Sequence, residues 1–269
     1  MALVAVAIYD TPENGREVYT ERFLDSILRP KMSEHLDTRH RFVFVINSAT
    51  TRTLDNLAEF ARRHRNPVEI ITMPENVGTA RAINQAWKLR QPGENAVKMD
   101  NDIEIHAYDW LEKMEEALAR DPKIGLIGLK RKDCCQHPNH PEEFYRSTLH
   151  IIPDPPIPGH PWMVVEKTPD VMGTCTLFSS ACLDVIGFLW QPGLYGFDDV
   201  MACERVRKAG FDTAFLHGVE IDHIDNGGNE YQKWKERSAM IDSPVFHNAR
   251  EAVREGRLPV FVPADYDKK

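Results

Sequence analysis

The chain has 269 residues, of which 42% are hydrophobic and 28% charged, and its formal net charge is −8. Such a chain can bury a substantial core, as globular proteins do. The acidic balance and the lack of a dense Lys/Arg tract argue against stable nucleic-acid binding, which depends mainly on neutralising phosphates. No apolar run approaches the roughly 20 residues of a membrane-spanning helix. The apolar stretch 2–9 lacks the basic lead-in of a signal peptide, so we expect a cytoplasmic protein.

Strands and helices are predicted to alternate through the first half of the chain. The predicted strands are apolar runs at Leu3–Tyr9, Phe42–Ile46, Val68–Met73, Ala96–Met99 and Ile124–Leu129. The predicted helices carry apolar residues at helical spacing and cover 16–28, 54–65, 80–89 and 110–118. This order predicts a parallel sheet with helices on both faces. Such sheets bind ligands at the carboxyl ends of their strands.

The second half of the chain has a less regular pattern. The proline-rich stretch 153–161 is predicted to be an exposed loop. Further on we predict a strand at 171–179, a helix at 197–209 and one or two strands at 213–223. The polar tail from Glu230 is predicted to form a helix and an extended end. Its aromatic residues Tyr231, Trp234 and Phe246 are expected to pack on the same domain, and the alternatives are that they cover the acceptor or contact a second subunit.

Two carboxylates follow the fourth predicted strand, in Asp100-Asn101-Asp102. Residues i and i+2 of an extended backbone point to the same side, so both carboxylates can converge on one site. A divalent cation between them and phosphate oxygens would relieve their repulsion, and Mg²⁺ or Mn²⁺ suits such oxygen ligands. The alternative is an ordinary turn at a strand end, where Asp and Asn are common.

A loop running from Asn76 to Asn84 leads into the third predicted helix. Gly78 permits close backbone approach, and the amides at a helix start favour anions. Asp198-Asp199 begin a later helix, where one carboxylate can cap the helix and the other can serve as a base. An ordinary turn and an ordinary helix cap remain the alternatives.

Two other groups of residues could bind metal. His223 follows the last predicted strand, and its imidazole could supply a nitrogen ligand beside Asp102, although a packed histidine is the alternative. Soft ligand types also lie close together at Cys134, Cys135, His137 and His140. Their spacing matches no common zinc pattern, so we do not expect a structural metal there.

In this order and spacing, these motifs resemble those of the GT-A glycosyltransferases, and within them of family 2. The resemblance runs from Leu3 to about Asp225, most of the chain. The matching residues are Asn76, Gly78 and Asn84 for the Asn-x-Gly loop, Asp100 and Asp102 for the D-x-D motif, Asp198 and Asp199 with Arg205 and Gly210 for the later acidic pair, and His223 for the histidine after the final strand.

The resemblance implies a GT-A, Rossmann-like fold with a mostly parallel central sheet, flanking helices and a smaller acceptor-side region. It implies a nucleotide-sugar-binding half at 1–130, an acceptor and catalytic half of the same domain at 131–228, and a helical and extended tail at 229–269. The implied activity is that of an inverting hexosyl- or pentosyltransferase. Such an enzyme uses Mn²⁺ or Mg²⁺ to move a sugar from a nucleotide-diphosphate-sugar, here a UDP-sugar, to an acceptor hydroxyl.

The resemblance also implies roles for individual residues. Asp102 and His223 would hold the metal, with Asp100 near the ribose or the metal's waters. Asp199 would be the general base, with Asp198 as the other candidate. The implied donor-binding residues are Tyr9, Asp10, Asn47, Asn76, Gly78, Asn84, Asp100 and Asn101.

Two departures from the family pattern leave alternatives open. The second strand ends in Asn47-Ser48, where the family usually has an acidic residue, so the nucleoside is open. Asp198-Asp199 replaces the usual Glu-Asp pair, which leaves the identity of the base open. The acceptor is equally open among a glycan, a lipid, a protein and a modified nucleobase.

Two other functions compete with this interpretation. A nucleotidyltransferase or other phosphate-transferring enzyme is disfavoured, because the sequence has neither a G-x-x-x-x-G-K-[ST] loop nor a G-x-G-x-x-G loop. A non-catalytic sugar-nucleotide-binding protein on the same fold would be expected to lack the base or a metal carboxylate, and both are present here.

Overall fold

The computed structural model describes residues 1–134, 147–152, 162–225, 227 and 230–266. Within these residues the chain forms ten strands and eight helices. The strands are β1 (Ala2–Tyr9), β2 (Arg41–Ser48), β3 (Val68–Thr72), β4 (Asn95–Met99), β5 (Ile103–Ile105), β6 (Ile124–Arg131), β7 (Thr148–Ile152), β8 (Met163–Lys167), β9 (Cys175–Phe178) and β10 (Asp212–His223). The helices are α1 (Glu17–Leu28), α2 (Pro30–His35), α3 (Thr51–Arg63), α4 (Thr79–Trp87), α5 (Trp110–Arg120), α6 (Ser180–Ile186), α7 (Asp198–Lys208) and α8 (Glu230–Arg254).

The strands join in a single sheet with the order β3-β2-β1-β4-β9-β6-β10-β8-β7, and β5 pairs with β10. β1 is parallel to β2 and β4, and β2 is parallel to β3. β9 runs antiparallel between β4 and β6, so β6 and β10 again point in the direction of β4. The predicted α/β fold with a mostly parallel central sheet is therefore confirmed.

The continuous apolar run of β1 reflects burial on both faces of the sheet, as expected of a central parallel strand. Val4, Val6 and Ile8 point into a core formed with α1, α3 and α5. Leu3 and Ala5 point into a second core formed with α4, α6 and α7. The alternation follows from the two-residue period of a strand. Because both faces of β1 are buried, polar residues are accommodated only at its carboxyl end.

The C-terminal helix α8 packs on α7 through a small apolar cluster that includes Phe246, Val253 and Met201. The ring of Phe246 stacks on that of Phe197 with centroids 4.3 Å apart. The tail beyond α8 is fixed by Arg205, which donates to the carbonyls of Pro259 and Val260. Among the described residues, no helix has both the length and the apolar character needed to cross a bilayer.

Two predicted features fall partly or wholly outside the described residues. Cys134 is half-buried, but Cys135, His137 and His140 are not among the described residues. The predicted loop at 153–161 also lies outside them.

Candidate active site

A cavity opens at the carboxyl ends of β1, β2 and β4, where the strand order of the sheet changes direction. Ligands of open α/β sheets bind at this place. Nine of the expected catalytic, donor-binding and metal-binding residues line it, namely Tyr9, Asn47, Asn76, Asp100, Asn101, Asp102, Asp198, Asp199 and His223. Residues that the motifs did not include also line it, among them Arg16, Lys98, Gly173, Tyr195, Tyr231, Trp234 and Lys235.

Asp100 forms an ion pair with a lysine of the same chain segment. The ammonium group of Lys98, one pleat earlier on β4, lies 2.7 Å from Asp100 Oδ1. Lys98 is 5% exposed and also donates to the carbonyl of Gly173. Burial raises the pKa of Asp100, and Lys98 opposes that rise. Burial works to lower the pKa of Lys98, but the charges of Asp100, Asp198 and Asp199 and the hydrogen bond to Asp100 together outweigh it, and the pKa is raised.

Asp102 is held next to His223 by the strand that follows it. β5 begins at Ile103 and pairs with β10 so that Ile103 lies opposite His223. The Ile224 amide then donates to the Asp102 carbonyl at 2.9 Å. These contacts put His223 Nε2 3.4 Å from Asp102 Oδ2. The sequence predicts that Asp102 and His223 lie side by side, and the pairing of β5 with β10 is what brings them together.

Arg16 also pairs with Asp102, with its Nη2 atom 2.6 Å from Oδ2. Burial works to raise the pKa of Asp102, but the charge of Arg16 and the contact with His223 hold it well below its ordinary range. The other oxygen, Oδ1, is buried and has no hydrogen-bond partner among the described residues. A buried anionic oxygen without a partner is unfavourable, so Asp102 fits the role of a cation ligand.

Asp198 and Asp199 enter the cavity from the first turn of α7. The preceding residue, Phe197, has a φ of 69°, which is uncommon for a bulky residue. Asp199 accepts the amides of Gly173 at 3.2 Å and Val200 at 2.8 Å. Asp198 Oδ2 lies 3.8 Å from the Lys98 ammonium. Burial raises the pKa of both carboxyl groups, a property suited to proton acceptance near neutral pH.

Gly173 makes room for this arrangement. A β-carbon there would lie 2.8 Å from Asp199 Cβ and 3.0 Å from Lys98 Nζ. Its amide and carbonyl also bond to these same two side chains. Gly173, in the loop before β9, therefore positions both the Asp199 carboxylate and the Lys98 ammonium group.

Aromatic rings close one side of the cavity. Tyr231 and Trp234, at the start of α8, stack with centroids 5.4 Å apart and an interplanar angle of 12°. Tyr9, at the end of β1, lies 6.1 Å from Tyr231 and 6.3 Å from Trp234. Flat apolar rings beside polar groups are suited to holding a base or the face of a sugar.

Asp10 does not line the cavity, although we expected it to contact the donor. It is fully buried and accepts hydrogen bonds from Thr20 at 2.6 Å, Thr53 at 3.0 Å and Asn101 at 3.2 Å. Burial raises its pKa, and these donors oppose the rise. Asp10 therefore ties α1, α3 and the Asp100–Asp102 turn together behind the cavity.

Gly78 and the start of α4 are also arranged differently from our expectation. A β-carbon on Gly78 would lie 2.9 Å from Leu194 Cα, so the close approach that it permits is to the protein's own backbone. The Gly78 amide donates to Asn76 and the Ala80 amide to Gln191. Side chains thus occupy amides that we expected to favour an anion.

Asn84 and Arg205 have structural contacts. Asn84 is fully buried, and its side chain bonds to both the carbonyl and the amide of Leu189 at 2.9 Å. It is absent from the cavity lining, so its role in donor binding stays a prediction. Burial lowers the pKa of Arg205 to about 10, and its guanidinium holds the C-terminal tail.

Sequence reasoning missed Lys98, Arg16 and Lys235. Lys98 carried a usable signal, because a charged residue within the otherwise apolar run 96–99 calls for a buried partner. Arg16 and Lys235 carried none, since their shared partner Asp225 is 209 and 10 residues away in the chain. Only the folded chain brings them together.

Another possible metal-binding group lies outside the cavity. Ligand atoms of Glu104, His106 and Asp222 lie within 4.8 Å of one another. Protein cations already contact each of them: Arg22 is 2.7 Å from Glu104, Arg29 is 2.9 Å from His106, and Lys132 is 2.7 Å from Asp222. The cluster is therefore a neutralised ionic network at the surface. Among the described residues, no second group of three has all its ligand atoms within 4.8 Å of one another. Asp100, Asp102 and His223 therefore do not meet this distance.

The fold and this cavity define a GT-A protein. The family model for "Glycosyl transferase family 2" matches residues 4–187. The chain therefore belongs to glycosyl transferase family 2. Among curated proteins it is similar to the uncharacterized protein y4gI of Sinorhizobium fredii, with 23% identity over 184 residues. That match covers 63% of this chain and 19% of the Sinorhizobium protein.

Solved GT-A structures have the same fold. The chain is similar to a mannosyltransferase from Pyrobaculum calidifontis solved with GDP-Man and Mn²⁺, with a TM-score of 0.63 and 19% identity. That alignment covers 88% of this chain and 60% of the mannosyltransferase chain. It is also similar to residues 1–349 of TarS from S. aureus, solved with UDP-GlcNAc, with a TM-score of 0.54 and 15% identity. That alignment covers 90% of this chain and 66% of the TarS chain.

Proposed function

We propose that this protein is an inverting, metal-dependent glycosyltransferase that uses a nucleotide-diphosphate-sugar donor. The observation that carries the proposal is the meeting of Asp102, His223 and the Asp198-Asp199 pair at one cavity. The first two residues can hold a cation and the pair can supply a base. Nucleotide-sugar complexes among the structural neighbours, with GDP-Man and UDP-GlcNAc, support the donor class.

Asp102 and His223 are the residues that would hold Mn²⁺ or Mg²⁺, with Asp100 close by. The partnerless Oδ1 atom of Asp102 fits this role. When bound, such an ion supplies positive charge that stabilises the departing diphosphate. Mn²⁺ is present in the structure of the Pyrobaculum mannosyltransferase, which supports the same ion class here.

Asp199 is our candidate for the general base. Its two backbone amide contacts fix its orientation, and burial raises its pKa towards the working range of a base. The carboxylate would take the proton of an acceptor hydroxyl as that oxygen attacks the anomeric carbon from the face opposite the diphosphate. Attack from the opposite face inverts the anomeric configuration.

The aromatic side of the cavity is our candidate for holding the nucleoside or the sugar. Tyr9 lies at the strand end where the resemblance expects the nucleoside, and Trp234 lies across from it. UDP-sugars remain our first choice of donor.

Thermal unfolding with nucleotide ligands tests the proposal. We expect a melting-temperature increase with one of UDP, GDP, UDP-GlcNAc and GDP-Man, and a larger increase with Mn²⁺. A ligand at 100 times its dissociation constant stabilises the folded state by about 2.7 kcal/mol. The increase should be lost in Asp102→Asn and kept in Asp55→Asn, a change at an exposed helix position. Absence of any shift in the unmodified protein, with and without Mn²⁺, would reject the proposal.

A further inference from the structure

Arg16 connects two carboxylates from distant parts of the chain. Its Nη2 atom lies 2.6 Å from Asp102 Oδ2, and its Nη1 atom lies 2.5 Å from Asp225 Oδ2. The residue is 5% exposed and lines the active-site cavity. One planar guanidinium therefore spans the D-x-D carboxylate and the chain that leads from β10 to α8.

Arg16 and a divalent ion would use the same carboxylate. Asp102 offers Oδ1 without a partner, but its Oδ2 atom already belongs to Arg16. Two positive charges a few ångströms apart in a buried site repel each other strongly. A divalent ion bound at Asp102 therefore weakens the contact between Arg16 and that carboxylate.

The contacts on the far side of Arg16 would keep it at the cavity after that release. Asp225 retains the Nη1 atom, and Lys235 also bonds to Asp225 at 3.0 Å. The rings of Tyr19 and Tyr231 lie 5.5 Å and 5.0 Å from the guanidinium carbon. Such cation–π contacts hold a guanidinium without consuming its N–H donors. The freed Nη2 group then remains available beside the metal carboxylate.

We propose that Arg16 is a donor-binding residue that changes partner, holding Asp102 in the metal-free protein and contacting the donor diphosphate once a divalent ion is bound. A guanidinium suits phosphate oxygens because it presents several N–H donors in one plane. The inference rests on the proposed function and adds to it a residue that no sequence motif includes.

The first test measures Mn²⁺ binding without nucleotide, in Arg16→Gln and in the control Arg52→Gln. Arg52 is a half-exposed arginine of α3 whose partners are Glu17 and Glu21. Electron paramagnetic resonance of free Mn²⁺ gives the dissociation constant. Removal of the competing cation should tighten Mn²⁺ binding by about tenfold in Arg16→Gln. Arg52→Gln should match the unmodified protein. Equal or weaker Mn²⁺ binding in Arg16→Gln, or no binding by either protein, overturns the proposal.

The second test measures binding of UDP and GDP at saturating Mn²⁺ by calorimetry. Arg16→Gln should bind the preferred nucleotide about tenfold more weakly, because a charge-assisted contact to the diphosphate is lost. A variant that had merely lost structure would not bind Mn²⁺ more tightly while it binds the nucleotide more weakly. Unchanged nucleotide affinity overturns the role of Arg16 and leaves the proposed function standing. Failure of the unmodified protein to bind either nucleotide rejects the proposed function, and the Mn²⁺ measurement still decides whether Arg16 competes at Asp102.

Arg16→Lys keeps the experiment decisive if the glutamine variant does not fold. Lysine retains the charge but replaces the planar donor with a single ammonium group that cannot span both carboxylates in the same way. We expect Mn²⁺ binding near that of the unmodified protein and nucleotide binding between the unmodified and glutamine values. Full nucleotide affinity in Arg16→Lys overturns the proposal, whether or not the glutamine variant folds.

Discussion

Lys98 and Asp100 form a 2.7 Å ion pair at the carboxyl end of β4, and the same ammonium group lies 3.8 Å from Asp198. One buried cation thus lies between Asp100 and the start of α7. Burial raises the pKa of Asp100, Asp198 and Asp199, and Lys98 opposes the rise in each case. Lys98 therefore allows several carboxylates to share one cavity.

We predict that Lys98→Met lowers the free energy of unfolding by about 3 kcal/mol or more at pH 8, because it leaves buried carboxylates without their cation. The loss should be smaller at pH 5. Without Lys98 the carboxyl pKa values rise further, and a raised carboxyl pKa gives stability at low pH that is lost as the pH rises through the folded-state pKa. Urea unfolding at both pH values measures the effect.

The matched control for that prediction is Lys88→Met. Lys88 lies at the surface and pairs with Asp265 at 2.9 Å. Exposed ion pairs contribute little, so we expect a change within about 0.5 kcal/mol and no dependence on pH between 5 and 8. A pH-independent deficit in Lys98→Met equal to that of the control would show that Lys98 does not compensate the cavity carboxylates.

The kinetics of asparagine variants should distinguish the roles of Asp198 and Asp199. Asp199→Asn keeps one side-chain oxygen, which can accept only one of the two amides bound by the carboxylate, so folding and nucleotide binding should persist with some loss of stability while turnover falls about 10²- to 10⁴-fold. Asp198→Asn removes charge beside Lys98, and its main effect should be on stability and on KM. Release of the nucleoside diphosphate measures turnover. A larger loss of kcat in Asp198→Asn than in Asp199→Asn would exchange the two roles.

Gly78 should tolerate alanine less well than another glycine of similar φ. Gly78 has φ +84° and lies where a β-carbon would meet Leu194 Cα at 2.9 Å, whereas Gly93 has φ +78° and open space around it. Gly93→Ala should cost about 1 to 2 kcal/mol in backbone strain alone. Gly78→Ala should cost about 1 to 3 kcal/mol more because of the clash. Equal losses on urea unfolding would mean that the 191–196 loop moves away freely.

The central elements were predictable because each has a strong local signal. The buried run of β1 and the apolar stripe of α5 stand out in sequence, and the structure has both. Short elements gave weaker signals. The helix α2 has six residues and begins at Pro30, and a single proline is a weak start signal without an apolar stripe after it. The strand β5 has three residues, too few to show a period of two.

The site was predictable where one short segment held its residues together, as in Asp100–Asp102 and Asp198-Asp199. The structural roles of other candidate residues were not predictable. Asp10 and Asn84 are both expected donor-binding residues, yet each hydrogen-bonds within the protein behind the cavity. The sequence pattern marks polar residues near a strand end or helix, whereas their direction depends on packing that no local pattern describes. Gly173 shows the converse, since its importance comes from contacts with Lys98 and Asp199 in other elements.

His64 provides a pH-dependent stability term remote from the cavity. It is 7% exposed, and its ring stacks on Phe60 with centroids 4.7 Å apart and meets the edge of Phe42 at 4.7 Å. Burial among these rings lowers its pKa to about 4. Its Nδ1 atom accepts the Asn66 amide at 3.2 Å, which suits the neutral imidazole. The folded protein therefore disfavours protonation of this histidine.

A histidine with a lowered folded-state pKa binds fewer protons folded than unfolded between pH 4 and 6.5, so stability falls as the pH drops through this window. We predict that the free energy of unfolding declines between pH 7 and pH 5 by about 1 to 2 kcal/mol more in the unmodified protein than in His64→Gln. His247→Gln, a change at an exposed position of α8, should retain the decline of the unmodified protein. Urea unfolding at the two pH values measures the difference. Parallel declines in all three proteins would show that His64 accepts a proton in the folded state as readily as in the unfolded chain.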